Sequence, residues 1–322
     1  MSDYRSLSLW HDSLGDDLHP RPGLSAQALS REWDVVIMGA GYTGMWTALR
    51  LTEIDPTLSI LIVEKEIAGF GASGRNGGWC SALFPTSTGA LITRHGYDQA
   101  RALRHAMVTA VDSVGHYATA LGIECDFVKG GTMVLARSEI QLTKAKESLA
   151  DARLTDVDTH EWREPEATIR ATHTLGAVFD PSCARLHPAK LARGLARSLE
   201  ERGVVIAEGV EVVSYSPHRV VTSQGTLQAT QIVDAMEGYR SSLKQTKRHS
   251  LPLYSLMIAT EPLPDSLFEE IGLEHGMTFS DFRSLIIYGQ RTADNRIAFG
   301  GRGAPYHFGS AIKPEYDRVP RV

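Results

Sequence analysis

The sequence has few cysteines and no run of residues that resembles a leader or a membrane span. Cys80, Cys125 and Cys183 are an odd and widely spaced set in 322 residues. This argues against a disulfide framework and shows no metal-ligand spacing, so we expect buried thiols and no metal. The N-terminus lacks a basic start followed by an apolar run, and no uncharged apolar stretch is long enough to span a bilayer. We therefore expect a cytoplasmic protein without a membrane partner.

A cluster of basic residues is also missing. The net charge is −5 and the isoelectric point is near 6.2, so nothing offers an electrostatic surface for a nucleic acid or an anionic membrane. Apolar residues make up 43% and charged residues 22%, which is typical of a folded globular chain. The length predicts about two domains.

Three common enzyme classes lack their sequence patterns here. There is no Ser-His-Asp order, no HExxH and no cysteine pair, so hydrolase, metalloprotease and dithiol reductase functions lose support. No side chain is assigned as a catalytic base or nucleophile.

The clearest pattern begins at Asp34, with DVVIMGAGYTGMWTALRLTEIDPTLSILIVEKE. It predicts a strand, a tight turn, a helix and a second strand. Gly39 permits the sharp turn, Gly41 lets the backbone approach a pyrophosphate, and Gly44 lets the helix pack close to the strands. The helix N-terminus, at Tyr42 and Thr43, offers free N–H groups to phosphates.

A carboxylate completes this pattern. Glu64 ends the second strand, 20 residues beyond Gly44. A carboxylate at this position accepts hydrogen bonds from both ribose hydroxyls and repels a 2′-phosphate, so NADP is disfavoured. With the adjacent Lys65, these residues predict a dinucleotide site. A glycine-rich turn alone would be weak evidence.

A second glycine-rich segment follows at once, GFGASGRNGGW. An NAD domain would continue into another helix and a parallel strand. An extended loop with free N–H groups, a hydroxyl and a cation instead suits a longer cofactor, FAD. A mobile surface loop is the alternative. The candidate cofactor residues in this loop are Gly71, Ala72, Ser73, Arg75, Asn76, Gly77 and Gly78.

Glu64 followed by GFGASGRNGG resembles the FAD-dependent oxidoreductases of the D-amino-acid oxidase, glycine oxidase and sarcosine oxidase type. The segments GASGRNGGW, PLYSLMIATEPLP and IYGQRTADNRIAFGGRGAPYHFG are most similar to the γ-glutamylputrescine oxidoreductase branch. The resemblance implies that Val212 presents its backbone to the adenine and that Ala235 lies near the cofactor. Met236 stands where the family usually has a small hydroxyl residue.

The predicted fold class is α/β, or α+β overall. It combines a Rossmann-type FAD-binding domain that carries a β-meander with an interrupting substrate domain built on an antiparallel sheet. We expect an N-terminal extension over residues 1–33. The FAD-binding domain is predicted over 34–88 and 178–240, and the substrate domain over 89–177 and 241–322.

Within these domains, helices are predicted over 97–121 and 187–203, the second capped by His187. Two short strands are expected in 125–136, three in the meander and three from 251 onward, the last two as a hairpin. The polar face predicted for the first helix comprises Arg101, Arg104, His105, Asp112 and His116. Aromatic and histidine residues that either line a pocket or pack in the sheet are Tyr254, Tyr288, Tyr306 and His307.

The resemblance implies oxidation of the C–N bond of a small amine or amino acid by hydride transfer to FAD, with dioxygen or another acceptor taking the electrons. Two alternatives stay open. Family members continue beyond the position of Val322 with a segment that closes over the flavin, so the chain is also consistent with an incomplete, inactive flavin-binding fold. An NAD-dependent dehydrogenase is the weaker alternative.

Overall fold

The structure is a computed structural model that describes residues 4–302. Its α-helices are α1 Leu9–Asp12, α2 Ala26–Ser30, α3 Tyr42–Ile54, α4 Ala72–Arg75, α5 Thr88–His95, α6 Tyr97–Ala120, α7 Glu139–Ala152, α8 Pro188–Glu201 and α9 Asp265–Ile271. The strands are β1 Glu32–Met38, β2 Ile60–Val63, β3 Trp79–Ser81, β4 Thr132–Ala136, β5 Glu161–Arg163, β6 Gly176–Asp180, β7 Cys183–Arg185, β8 Val205–Ala207, β9 Val212–Ser216, β10 Arg219–Thr222, β11 Gly225–Asp234, β12 Ser255–Ala259, β13 Thr278–Asp281, β14 Ile287–Arg291 and β15 Ile297–Arg302.

The first sheet has six strands in the order β8-β2-β1-β11-β10-β9. The four strands β8, β2, β1 and β11 are parallel, whereas β10 and β9 continue from β11 as an antiparallel meander. All four residues of β2 and the last four of β1 are buried, as expected for parallel strands covered on both faces. The structure confirms the predicted strand-turn-helix-strand unit and the meander.

Helices α3 and α8 cover one face of this sheet. Their apolar residues join β1 and β2 in one core cluster that includes Met45, Leu49, Leu195 and Leu199, all of them fully buried. Helix α8 begins at Pro188, a position where the N–H that proline lacks would have no acceptor within the helix. The imidazole of His187 accepts the Lys190 N–H. The cap predicted for this helix is therefore confirmed.

The second sheet has seven strands in the order β12-β15-β14-β13-β4-β6-β5. Its neighbours are antiparallel except β4 and β13, which run parallel. Strands β14 and β15 form the predicted hairpin. Strand β13 and helix α9 were not predicted, and both lie in the stretch between β12 and β14. The exact domain boundaries stay a prediction.

The long helix α6 confirms the prediction over 97–121, but one of its polar residues was placed on the wrong face. Arg104 is buried, with 7% of its surface exposed. Its guanidinium forms a bidentate ion pair with Asp158, at 2.9 and 2.6 Å. His105 and His116 are exposed as expected. Periodicity alone counts an arginine as polar and cannot detect a partner 54 positions away.

Two further expectations are corrected. Of the two strands expected in 125–136, only β4 forms, because Val128 makes an isolated bridge to Arg185 instead of a strand. The second glycine-rich segment is not simply extended, since Ala72–Arg75 forms one helical turn. Glycine at position 74 permits this turn, because a Cβ there would lie 2.0 Å from the Gly69 carbonyl oxygen.

The three cysteines are free thiols, and Cys80 is only half-buried whereas Cys125 and Cys183 are buried. Burial raises the pKa of Cys80 to about 12 and the pKa values of Cys125 and Cys183 to about 11. In residues 4–302, no helix combines the length and the apolar character that crossing a bilayer requires. That part of the chain also holds no group of three or more metal-ligating side chains.

Candidate functional site

The site is centred on the turn that follows β1. Gly39 has φ +107, and a Cβ there would lie 2.6 Å from the Ala235 carbonyl oxygen. A Cβ at Gly44 would lie 2.2 Å from the Gly39 carbonyl oxygen, inside the turn itself. Gly41 is different, since its backbone is extended and the nearest atom to its missing Cβ is the Ser73 hydroxyl oxygen, at 3.0 Å. Gly39 and Gly44 therefore permit the tight turn and the close packing predicted for them, whereas the approach of a pyrophosphate to Gly41 stays a prediction. Ala235 lies beside the turn.

The second glycine-rich segment reaches back to this turn. Ser73 Oγ accepts a hydrogen bond of 2.9 Å from the Tyr42 N–H, which lies at the start of α3 and has no acceptor within the helix. The Tyr42 hydroxyl donates to the Pro188 carbonyl at 2.8 Å, and burial raises the pKa of this tyrosine far above its usual value. Thr43 is exposed on the same helical turn. The two glycine segments thus form one continuous surface.

Glu64 lies at the other end of the same edge. Its carboxylate accepts the Ala40 N–H at 2.9 Å and the Glu66 N–H at 3.0 Å. Burial raises the pKa of this carboxyl, and the two N–H donors act in the opposite direction. The Glu64 carbonyl accepts the N–H of Val210, two residues before Val212. Lys65 points elsewhere, because its ammonium pairs with Glu211 at 2.8 Å on the surface.

Asn76 organises the last part of the glycine-rich segment. Its side chain donates to the Ser73 carbonyl at 2.9 Å and accepts the Gly78 N–H at 2.7 Å. Gly78 has φ +66, and a Cβ there would lie 2.1 Å from Gln290 Nε2. The Gln290 side chain donates to the Gly77 carbonyl, which ties this loop to strand β14 of the second sheet.

A cavity of about 450 Å³ opens beside these residues, between α1 and α4 on one side and the second sheet on the other. Ala72, Arg75 and Asn76 line one side, and β12 with Tyr288 lines the other. The Arg75 guanidinium lies 4.9 Å from the Phe70 ring centre and donates to the Tyr239 hydroxyl at 3.2 Å. Of the predicted pocket residues, Tyr254 and Tyr288 line this cavity, whereas Tyr306 and His307 lie outside the described residues.

The N-terminal segment also contributes to the site, which was not predicted from the sequence. Trp10 is 5% exposed, lines the cavity and donates its indole N–H to the Asn76 carbonyl at 2.9 Å. The neighbouring His11 is 1% exposed, and the position of a Cβ on Gly74 would lie 3.2 Å from its ring. A tryptophan two residues after Ser8, which caps α1, was the available signal.

Comparison with known proteins decides the family. Residues 34–321 match the family described as DAO, FAD dependent oxidoreductase. The chain belongs to this family. FAD is therefore its cofactor, and an NAD-dependent dehydrogenase is not supported.

Individual members of the DAO family show the same likeness. The γ-glutamylputrescine oxidoreductase of Escherichia coli is 29% identical over 279 residues, which cover 83% of this chain and 64% of that protein. The probable oxidoreductase OrdL of Haemophilus influenzae is 28% identical, with the same coverage. The chain thus spans about 64% of the length of these relatives. The crystal structure of a glycine oxidase from Geobacillus kaustophilus shares the fold, with a TM-score of 0.66 at 23% identity, over 87% of this chain and 73% of that one.

The residues of this DAO-family chain fit a bound dinucleotide. Gly41 leaves a cradle that a side chain would fill, and the start of α3 presents N–H groups to it. The half-buried Glu64 carboxylate provides acceptors for ribose hydroxyls. The N–H groups at the start of α3 could bind a pyrophosphate, and the Glu64 carboxylate could bind a ribose. These donors and acceptors agree with the family assignment.

Proposed function

We propose that this protein oxidises the C–N bond of a small amine or amino acid, using FAD. The observation that carries the proposal is the meeting of both glycine-rich segments and Glu64 at one sheet edge, directly beside the cavity lined by Arg75 and Asn76. A cofactor that lies along the edge would end at this cavity, where a substrate would have access to it.

The proposed cofactor contacts follow the order of the residues along the edge. The pyrophosphate lies against the first turn and the helix start, the adenosine ribose meets Glu64, and the adenine meets the backbone at Val212. The second segment holds the ribityl chain and the ring. The proposed residues are Gly39, Gly41, Tyr42, Thr43, Gly44, Glu64, Gly71, Ala72, Ser73, Arg75, Asn76, Gly77, Gly78, Val212 and Ala235. Lys65 is the least supported member of the set, because it pairs with Glu211.

FAD supplies the capacity to accept two electrons, so the protein has to bind, orient and exclude water. A substrate in the cavity would meet the apolar side chains of Leu253 and Met257 on one side and the Arg75 guanidinium on the other. In the proposed reaction a neutral amine loses the α-hydrogen as a hydride, and the resulting imine is hydrolysed by water. No protein base is needed for this step, in keeping with the absence of an assigned catalytic residue.

The choice of an amine or amino acid rests on the names of the relatives. γ-Glutamylputrescine oxidoreductase names an amine, and glycine oxidase names an amino acid. The electron acceptor is proposed to be dioxygen or another small molecule. Location in the cytoplasm is likewise a proposal.

The test is a visible spectrum of the purified protein, followed by anaerobic addition of amines and amino acids. Bleaching of the flavin band by one compound class, with peroxide release on admitting air, is the expected result. An artificial dye in place of air separates an oxidase from a dehydrogenase. A flavin band that no amine bleaches would contradict the proposed activity and favour a flavin-binding fold without amine oxidation.

A further inference from the structure

A second cavity, of about 270 Å³, lies between the start of α8 and the β14–β15 hairpin. The side chains of Leu9 and Trp10 line both cavities and so form the wall between them. The first cavity is bordered by the second glycine-rich segment, whereas the second is lined by charged and polar residues of α8, β7, the hairpin and the segment between α6 and β4. These residues are Asp126, Arg185, His187, Lys190, Gln290, Thr292 and Asp294.

Arg185 is a buried cation of this lining without an ion-pair partner in residues 4–302. It is only 4% exposed, and its Nη1 donates to the Asp126 backbone carbonyl at 3.0 Å. Within residues 4–302, its Nε is buried without a hydrogen-bond acceptor, and no carboxylate lies within ion-pair distance of the guanidinium. A buried cation in this state is costly, and burial lowers the pKa of this arginine.

The other charges around the second cavity compensate one another. Lys190 Nζ pairs with Asp126 Oδ2 at 2.9 Å. Asp294 Oδ2 pairs with Arg296 Nε at 2.7 Å. His187 is neutral near pH 7, because burial lowers its pKa to about 4. Among the charged residues of this lining, Arg185 is the one that has no ion-pair partner within residues 4–302.

Gln290 supplies a second unused polar atom. The residue is fully buried on β14, and its Nε2 donates to the Gly77 carbonyl. Its Oε1 has no hydrogen-bond partner among the described residues. Because that oxygen can only accept, a ligand that satisfies it must carry an N–H or O–H group.

We propose that the second cavity binds a small carboxylate that also carries an N–H or O–H donor, with Arg185 holding the carboxylate and Gln290 accepting from the donor. The volume suits a compact metabolite rather than a drug-sized ligand. The Trp10 indole and Leu186 provide apolar walls for its carbon skeleton. This binding does not depend on amine oxidation, so the two proposals are tested separately.

The test is titration calorimetry of the purified flavoprotein with three probes of one shape. 3-Hydroxybutyrate is expected to bind at one site, butyrate to bind more weakly, and the neutral 3-hydroxybutyramide not to bind over the same concentrations. Failure of 3-hydroxybutyrate to bind, or equal binding of the amide, would overturn the proposal.

Variants assign the binding to this cavity. Arg185→Gln is expected to lower the affinity for 3-hydroxybutyrate by about tenfold or more, since it removes a charge-assisted hydrogen bond. If that variant does not fold, Ala293→Phe decides, because Ala293 is exposed at the cavity's edge and a larger side chain there blocks the cavity. Leu253→Phe narrows the first cavity instead and is expected to leave the affinity unchanged. Unchanged affinity in Ala293→Phe, or equal loss in Leu253→Phe, would show that the second cavity is not the site.

Discussion

Ser73 Oγ accepts the N–H of Tyr42 at 2.9 Å, although the two residues are 31 positions apart in the chain. This bond joins the turn after β1 to the second glycine-rich segment. The same hydroxyl oxygen lies 3.0 Å from the place where a Cβ on Gly41 would stand. The geometry proposed for the pyrophosphate therefore depends on both segments at once, and a side chain at position 41 would stand where the two segments meet.

We predict that Gly41→Val loses FAD but keeps the fold. Its backbone has φ −85 and ψ −179, which a β-branched residue adopts readily, and among the described residues its added Cβ would approach a side chain, that of Ser73, and no backbone atom. Unfolding should cost about 1 to 2 kcal/mol less, the usual loss for a poor helix cap. Flavin absorbance per protein and urea denaturation are the measurements.

Gly44→Val is the contrasting variant for this experiment. Its Cβ would lie 2.2 Å from the Gly39 carbonyl oxygen, so the turn itself has to move. We expect it to lose more than about 4 kcal/mol of stability or to fail to fold. Full flavin occupancy in Gly41→Val would show that the pyrophosphate does not lie there.

We predict that Glu64→Gln weakens FAD by about ten- to a hundredfold, which corresponds to about 1.5 to 3 kcal/mol for charge-assisted hydrogen bonds to the ribose. The fold should persist, since glutamine has nearly the same shape and keeps one of the two oxygens that accept the Ala40 and Glu66 N–H groups. FAD titration of the apoprotein measures the effect, and Glu201→Gln, at the exposed end of α8, is the matched control. Equal affinities in both variants would remove Glu64 from the site.

The sequence could predict the nucleotide half of the molecule because its signals are local. The spacing of Gly39, Gly41 and Gly44, and the carboxylate of Glu64 after a buried strand, each reflect a contact within one strand-turn-helix-strand unit. The cap at His187 is equally local, as it links neighbouring residues of one helix start. The strand-turn-helix-strand unit and the cap were predicted correctly for that reason.

The features that were missed depend on contacts between distant segments. Arg104 can be buried because it forms an ion pair with Asp158, and the indole N–H of Trp10 can be buried because it donates to the Asn76 carbonyl. Strand β13 pairs in parallel with β4, 146 positions earlier, and hydrophobic alternation does not reveal such a partner. Arg185 and Gln290 approach one cavity from β7 and β14, so their relation is visible only in the fold.

We predict that Arg104→Met lowers the free energy of unfolding by about 3 to 5 kcal/mol, because it leaves the Asp158 carboxylate buried and unpaired. Arg101→Met, three positions earlier on α6, is the matched control. It breaks a similar bidentate pair with Asp156, but both side chains are about half exposed, and such pairs contribute about 0 to 1 kcal/mol. Urea denaturation of both variants measures the difference. Equal losses would mean that the Arg104 pair is no more important than a surface pair.

The last prediction concerns pH. Burial is the main cause that lowers the pKa of His187, and also of His11, to about 4 from the ordinary value of 6.5. A histidine whose pKa is depressed by folding stabilises the protein above 6.5, and this contribution is lost as the pH falls toward 4, since the unfolded chain binds a proton that the folded one rejects.

Between about pH 6.5 and pH 4, each such histidine should therefore lower the free energy of unfolding by about 1.4 kcal/mol per pH unit of acidification. His187→Asn keeps an acceptor for the Lys190 N–H but removes the titrating ring, so the slope should fall by that amount even if the absolute stability also changes. His105→Asn, on the exposed face of α6, should leave the slope as it is. Urea denaturation at a series of pH values measures how the free energy of unfolding changes with pH. If this slope is the same in His187→Asn and in the unsubstituted protein, the pKa of His187 is not lowered by folding.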